Sequence, residues 1–265
     1  MSNALLAGVA TIVIVSIVWN LVGWASVTLA LRRVRDGGIA RGARVGILTL
    51  CDDMPVHMRR GTWSTSTEPM ACDWRLNAEV TLALQSTLAD KGLVCVELPA
   101  SDLQIAQGRD LVKPRRGRWH VTDPAMLHRL RQQGGLSALI VVKTAPVTAL
   151  VLADDSGGHV NVQMPATGVL TMAGCFSQRH RAVIAQDWQV YRLDPPANLR
   201  LMRPLRRMLD IPSVALPHVS CARGSRALSP QDQESVRHAV TTFIRQVAAT
   251  AVTVLKADRE DPCPS

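Results

Sequence analysis

The sequence predicts an α/β fold with a mixed sheet behind an N-terminal transmembrane helix, and three observations predict it. Residues Ala4 to Leu31 carry no charged side chain, and about 20 apolar residues are enough to cross the hydrocarbon core of a bilayer. Behind that run, β-rich stretches alternate with helical periodicities, the pattern of partly parallel strands joined by crossovers. The helical signal then fades into a meander of strands before one long final helix. The expected division is an anchor over 1–31, a basic Gly-containing linker over 32–43, an α/β domain over 44–257 and a flexible tail over 258–265.

The anchor reads as a single lipid-facing helix. Val and Ile dominate "VATIVIVSIV", Asn20 is the one strongly polar side chain, and Trp19 and Trp24 suit an interface. A cleaved signal peptide is the rival, but "MSN" lacks the basic start such a peptide uses. Its best cleavage candidate, "TLA" ending at Ala30, follows too long an apolar run. Arg32, Arg33, Arg35, Arg41 and Arg44 follow the span against the single acid Asp36. The positive-inside rule therefore favours a single-pass protein of a bacterial inner membrane with its domain in the cytoplasm, the periplasm being the alternative.

Next, the glycines of "RDGGIARG" interrupt any continued helix. "RVGILTL" is a buried strand, and the polar residues 53–73 read as a long loop. A helix follows from about Trp74 to Lys91, with Leu76, Val80, Leu84 and Leu88 on one face and Gly92 as its stop. "LVCVEL" is a second strand, and "GRDLVKPRRGRWHV" a basic loop. Asp123–Pro124 starts a short helix that Gly134–Gly135 closes. "LSALIVVKTA" is a third strand, and "TALVLAD", "HVNVQM", "GVLTMAGC" and "HRAVIAQDWQVYRL" continue the sheet. Residues 195–228 read as an irregular, Pro-containing excursion. Ser229–Pro230 with Asp232 then starts the last helix, whose Val236, Val240, Phe243, Val247 and Val254 form its apolar stripe.

That order, with a helix ending "ALQSTLADKGL" and the later strand "ALIVV", resembles the small α/β domain of bacterial envelope proteins. Examples are the curli secretion subunit and the N-terminal domain of the Tol-Pal translocation protein. The resemblance covers roughly residues 44–255 by topology, and it implies a non-enzymatic scaffold or assembly role, usually outside the cytoplasm. A transmembrane anchor in place of a lipidated Cys, and the Arg-rich flank, depart from that pattern.

Hydrophobic residues make up 47% of the chain but aromatics only 3%, so the core is built from Ala, Val and Leu. The net charge of +9 points to a membrane surface; nucleic acid is the other polyanion it suggests, and no recognition motif supports that partner. The six cysteines include no C-x-x-C pair and read mostly as free thiols, with Cys51–Cys72 or Cys175–Cys221 as the pairings open to an oxidising compartment.

No P-loop, nucleotide-binding glycine pattern, nucleophile elbow or zinc-protease motif occurs. The carboxyl end of the first strand carries Cys51, Asp52 and Asp53, with His57 beyond, the place where open α/β sheets gather ligands. Asp154–Asp155 lies in turn chemistry, "DDSGG". Lys113, Arg115, Arg116 and Arg118 surround Trp119 and offer a lipid or phosphate contact, with His120 adjoining. No cofactor and no metal site is expected. The function expected is a membrane-tethered, non-catalytic α/β domain that scaffolds or assembles an envelope complex, with the bilayer and other envelope proteins as partners. The alternative is a membrane-anchored hydrolase or transferase using Asp52, Asp53 and His57.

Overall fold

The computed structural model describes residues 25–31, 38–61, 64–99, 110–152, 159–173, 178–216, 219 and 228–255. Strand β1 (Arg44–Leu50) runs parallel to β4 (Val94–Glu97) on one side and to β7 (Ala138–Thr144) on the other. Strand β12 (Gln186–Leu193) adds antiparallel to β7, and β13 (Pro196–Asn198) antiparallel to β12. The order of this first sheet is thus β13-β12-β7-β1-β4. A sheet with parallel strands at its centre needs cover on both faces, and the alternation of β1 supplies it. Val45 and Ile47 face the long helices α2 (Leu76–Asp90) and α5 (Pro230–Leu255), with Ile140, Val142, Trp188 and Val190 beside them. Leu48, Leu139, Val141, Tyr191 and Leu193 face the other way, onto α3 (Pro124–His128) and its π-helical continuation Arg129–Gln133.

A second sheet is built from β14 (Ser213–Ala215), β11 (Gln178–Val183), β10 (Gly168–Ala173), β2 (Val56–Arg60) and β3 (Thr65–Pro69), in that order. Strands β10 and β2 are parallel, and the other neighbours are antiparallel. One face of this sheet presents Val169, Ala182 and Ile184 to the core that α2 and α5 cover. The other packs Met58, Leu170 and Val183 beneath the hairpin of β8 (Val147–Leu152) and β9 (His159–Met164). A second hairpin pairs β5 (Val112–Arg115) with β6 (Arg118–Val121).

The three helices expected of the domain, α2, α3 with its continuation, and α5, begin and end within about two residues of the expected bounds. Ser229 caps α5 by accepting from the Asp232 amide at 3.1 Å and donating to its carboxylate at 2.7 Å. Every residue of the expected stripe on α5 is buried, as are Leu76, Val80, Leu84 and Leu88 on α2. Arg237 on α5 meets Glu79 on α2 at 3.2 Å and ties the two helices across their exposed shoulder.

Four features correct the sequence reading. The single mixed sheet expected is two five-stranded sheets. Residues 53–73, expected as a loop, hold β2 and β3; every residue of β3 is exposed, so no hydrophobic alternation marks it. "HRAVIAQDWQVYRL", expected as one strand, passes from the second sheet to the first at Ile184–Ala185, where Thr167 Oγ1 accepts from the Ala185 amide. The excursion after residue 195 contains β13, a 3-10 turn (Leu199–Leu201), α4 (Arg203–Leu209) and β14.

At the N-terminus residues 25–31 form a helical segment, α1, while residues 4–24 of the expected span lie outside the described residues. Among the described residues no helix is long and apolar enough to cross a membrane. The linker residues 32–37, the tail 258–265, Asp154 and Asp155 also lie outside them, as do Cys175, Cys221 and Cys263. Cys51, Cys72 and Cys95 are free thiols, so Cys51 and Cys72 are not paired.

Candidate functional site

Asp52 and Asp53 sit exposed just past β1, and both are engaged in holding α2 and β7 to it. Asp53 Oδ1 accepts the Asn77 amide at 3.0 Å, in the first turn of α2. Asn77 Oδ1 in return accepts the Cys51 amide at 2.7 Å. The Asp52 amide donates to Thr144 Oγ1 at 2.7 Å. A carboxylate at a helix N-terminus satisfies an amide that the helix leaves unpaired and faces the favourable end of its dipole. Between them the Cys51 thiol is buried and pushed up to about 12 by desolvation, then by the charges of Asp53 and Asp52. It stays a neutral thiol at physiological pH, whereas a nucleophile needs thiolate.

His57 belongs to a different constellation. It lies on β2 with its side chain on the inward face of the second sheet, and its Nε2 meets Thr171 Oγ1 on β10 at 2.8 Å. The same hydroxyl meets His180 Nδ1 on β11 at 2.9 Å. Among the described residues, no hydrogen bond or ion pair joins His57 to Asp52 or Asp53. His57, Thr171 and His180 are 6%, 0% and 5% exposed. Burial, followed by the charge of Arg59 and the neighbouring His180, lowers the His57 pKa to about 4. Burial lowers His180 as well, with Asp232 opposing it and Arg59 reinforcing it. Both rings are therefore neutral at pH 7.

A hydroxyl carries one proton, so Thr171 donates to one ring and accepts from the other. The tautomers of the two rings are locked together. If His57 Nε2 holds a proton, His180 Nδ1 does not, and the outer nitrogens take opposite character. Thr171 thus links the two rings in a buried polar chain across three strands, and such chains fix a strand register because any slip leaves unpaired polar atoms. Beside His180 a recess of about 370 Å³ opens between β11 and β14, lined in part by Met172, Arg179, Arg181, Leu216 and Val219. Arg181 Nε already donates to Ser213 Oγ at 3.1 Å.

The basic stretch forms the β5–β6 hairpin. Arg116 and Gly117 make its turn, with φ of 49° and 71°, the left-handed pair that matches strand twist in a two-residue connection. Lys113, Arg115, Arg116 and Arg118 are all exposed, and none has an ion-pair partner among the described residues. The turn is bound to α1. The Gly117 amide donates to Ser26 Oγ at 2.9 Å, and Trp119 Nε1 donates to the Ala30 carbonyl at 3.1 Å. A Cβ on Gly117 would stand 3.2 Å from the Leu29 Cβ, so glycine is needed there for the approach as well as for its φ. Ala30 is completely buried.

No family model, curated protein or solved structure matches the chain.

The residues singled out from sequence thus fall into three places: the end of β1, where Asp53 braces α2 and the Asp52 amide bonds β7, a buried histidine chain that takes His57, and the basic hairpin. Sequence reasoning missed Thr171 and His180. The signal available was the alternation of β11, where His180 occupies the same inward series as Ala182 and Ile184. Among the described residues no group of three or more His, Cys, Asp or Glu is placed to hold a metal ion.

Proposed function

We propose that the chain is a membrane-tethered α/β scaffold whose domain is held in a fixed orientation against its anchor, on the cytoplasmic face of a bacterial inner membrane. The observation that carries this reading is the junction of α1 with the β5–β6 hairpin. The last residues of the charge-free run Ala4 to Leu31 are bonded through Ser26 and Ala30 to the domain. A rigid junction suits a protein that presents a surface to neighbours at a set height above the bilayer. The arginines behind the run support the cytoplasmic side, and the strand and helix order resembling envelope scaffolds supports an assembly role.

Three of the groups that would serve hydrolysis are otherwise engaged. Asp53 braces α2, the Cys51 thiol is held protonated, and His57 is bonded to Thr171 in the sheet interior. These contacts favour the scaffold over a hydrolase or transferase centred on Asp52, Asp53 and His57.

The test is fractionation of the full chain followed by native electrophoresis after gentle detergent extraction. It should sediment with membranes, resist alkaline carbonate, and migrate well above its 28.8 kDa mass in a complex that chemical cross-linking also captures. Substituting Val13→Arg and Val15→Arg should release it into the soluble fraction. Recovery of the wild-type chain in the soluble fraction would contradict the tether. Migration as a lone chain, with no cross-linked neighbour, would contradict the scaffold.

A further inference from the structure

We propose that the β5–β6 hairpin is a contact for anionic phospholipid headgroups, set at headgroup height by its bonds to α1. The inference rests on the tether reading and adds a binding surface and its ligand to it. On the tether reading, a membrane helix of the 20 residues from Ala4 to Gly23 would need about 30 Å, the thickness of the hydrocarbon core. Ser26, Leu29 and Ala30 then fall in the next 10 Å or so, the layer where phosphates lie. These are the residues that the hairpin turn touches. Because the turn is bonded there, Arg115, Arg116 and Arg118 share that layer.

The chemistry of the hairpin fits phosphate. Its pair Arg115↔Arg118 brings like charges side by side across two strands, an arrangement that is destabilising unless a counter-charge lies opposite. Arg116 adds a third guanidinium at the turn, in a left-handed conformation that Asn or Gly would adopt at lower cost. Guanidinium groups bind phosphate oxygens in bidentate fashion. Trp119 stands behind them with its ring nitrogen committed to Ala30 and its ring half-buried, as interfacial tryptophans do.

The test uses the full chain in lipid nanodiscs of phosphatidylcholine with a minority of phosphatidylglycerol. After gentle extraction, the phosphatidylglycerol carried with each chain is measured relative to the bulk. The wild-type chain should carry it enriched, and the variant R115Q/R116Q/R118Q should lose at least about half of that enrichment. The remainder belongs to Arg32, Arg33 and Arg35. Substituting two exposed arginines of α4, R203Q/R207Q, should leave the enrichment unchanged, and about 0.5 M salt should diminish it by screening. Equal enrichment in wild type and hairpin variant would overturn the proposal, as would an equal loss in the α4 variant. A hairpin that captures a single-stranded oligonucleotide without enriching anionic lipid would overturn it in favour of nucleic acid. Failure of the chain to enter discs at all would instead remove the tether reading beneath it.

Discussion

At Thr171 one hydroxyl serves two imidazoles, and the consequences are measurable at this single position. Thr171→Val removes both hydrogen bonds and takes their partner from two buried imidazoles. The expected loss is about 2 kcal/mol, read as a shift in the urea midpoint, and Thr171→Ser should restore most of it. The histidines also make stability pH-dependent. The His57 pKa of about 4 in the fold lies below its ordinary 6.5, so between these values the unfolded chain binds more protons. Stability should therefore fall as pH drops from about 6.5 to about 4, by no more than about 3 kcal/mol for this residue, and level off below. His57→Gln should flatten that part of the profile; an unchanged slope would contradict the assignment. The alternation of β11 could place His180 inward, but the pairing was not legible from sequence. His57 and Thr171 are 114 positions apart, and no periodicity within one strand says which other strand its inward polar residue will meet.

The elements fared according to how strongly their burial is written into local periodicity. Strands β1 and β7 are apolar on both faces, and α2 and α5 carry continuous stripes, so all four were legible. Strand β3 is exposed throughout and its hairpin was invisible, since only the backbone ladder to β2 makes it a strand. The division of β11 from β12 was hidden for a different reason: the apolar alternation continues across Ile184 and Ala185 while the chain changes sheets. Two glycines test the architecture. A Cβ at Gly168 would lie 1.8 Å from the Val56 carbonyl oxygen across the parallel pair of β10 and β2. Gly168→Ala should cost more than about 3 kcal/mol, or prevent folding, since backbone must move. Gly117→Ala meets a left-handed φ and the side chain of Leu29. It should cost about 1 kcal/mol, and hydrogen exchange should rise at the Gly117 amide while β1 and β7 remain protected.

The molecule as a whole joins two sheets through one core that α2 and α5 cover, and joins that core to an apolar N-terminal run through the hairpin. A membrane anchor with an arginine flank is an expectation that composition and charge over a short stretch make legible, and residues 4–24 and 32–37 lie outside the described residues. The junction was not legible, because the hairpin and α1 lie about 90 residues apart, with Gly117 bonded to Ser26 at a separation of 91. The central claim is that this junction holds a cytoplasmic domain against a membrane-inserted helix. The most direct measurement fuses, at Ser265, a fluorescent reporter that matures only in the cytoplasm and, in parallel, a phosphatase active only in the periplasm. Bright fluorescence in the membrane pellet with an inactive phosphatase is the predicted result. An active phosphatase with dark fluorescence, or fluorescence confined to the soluble fraction, would contradict it.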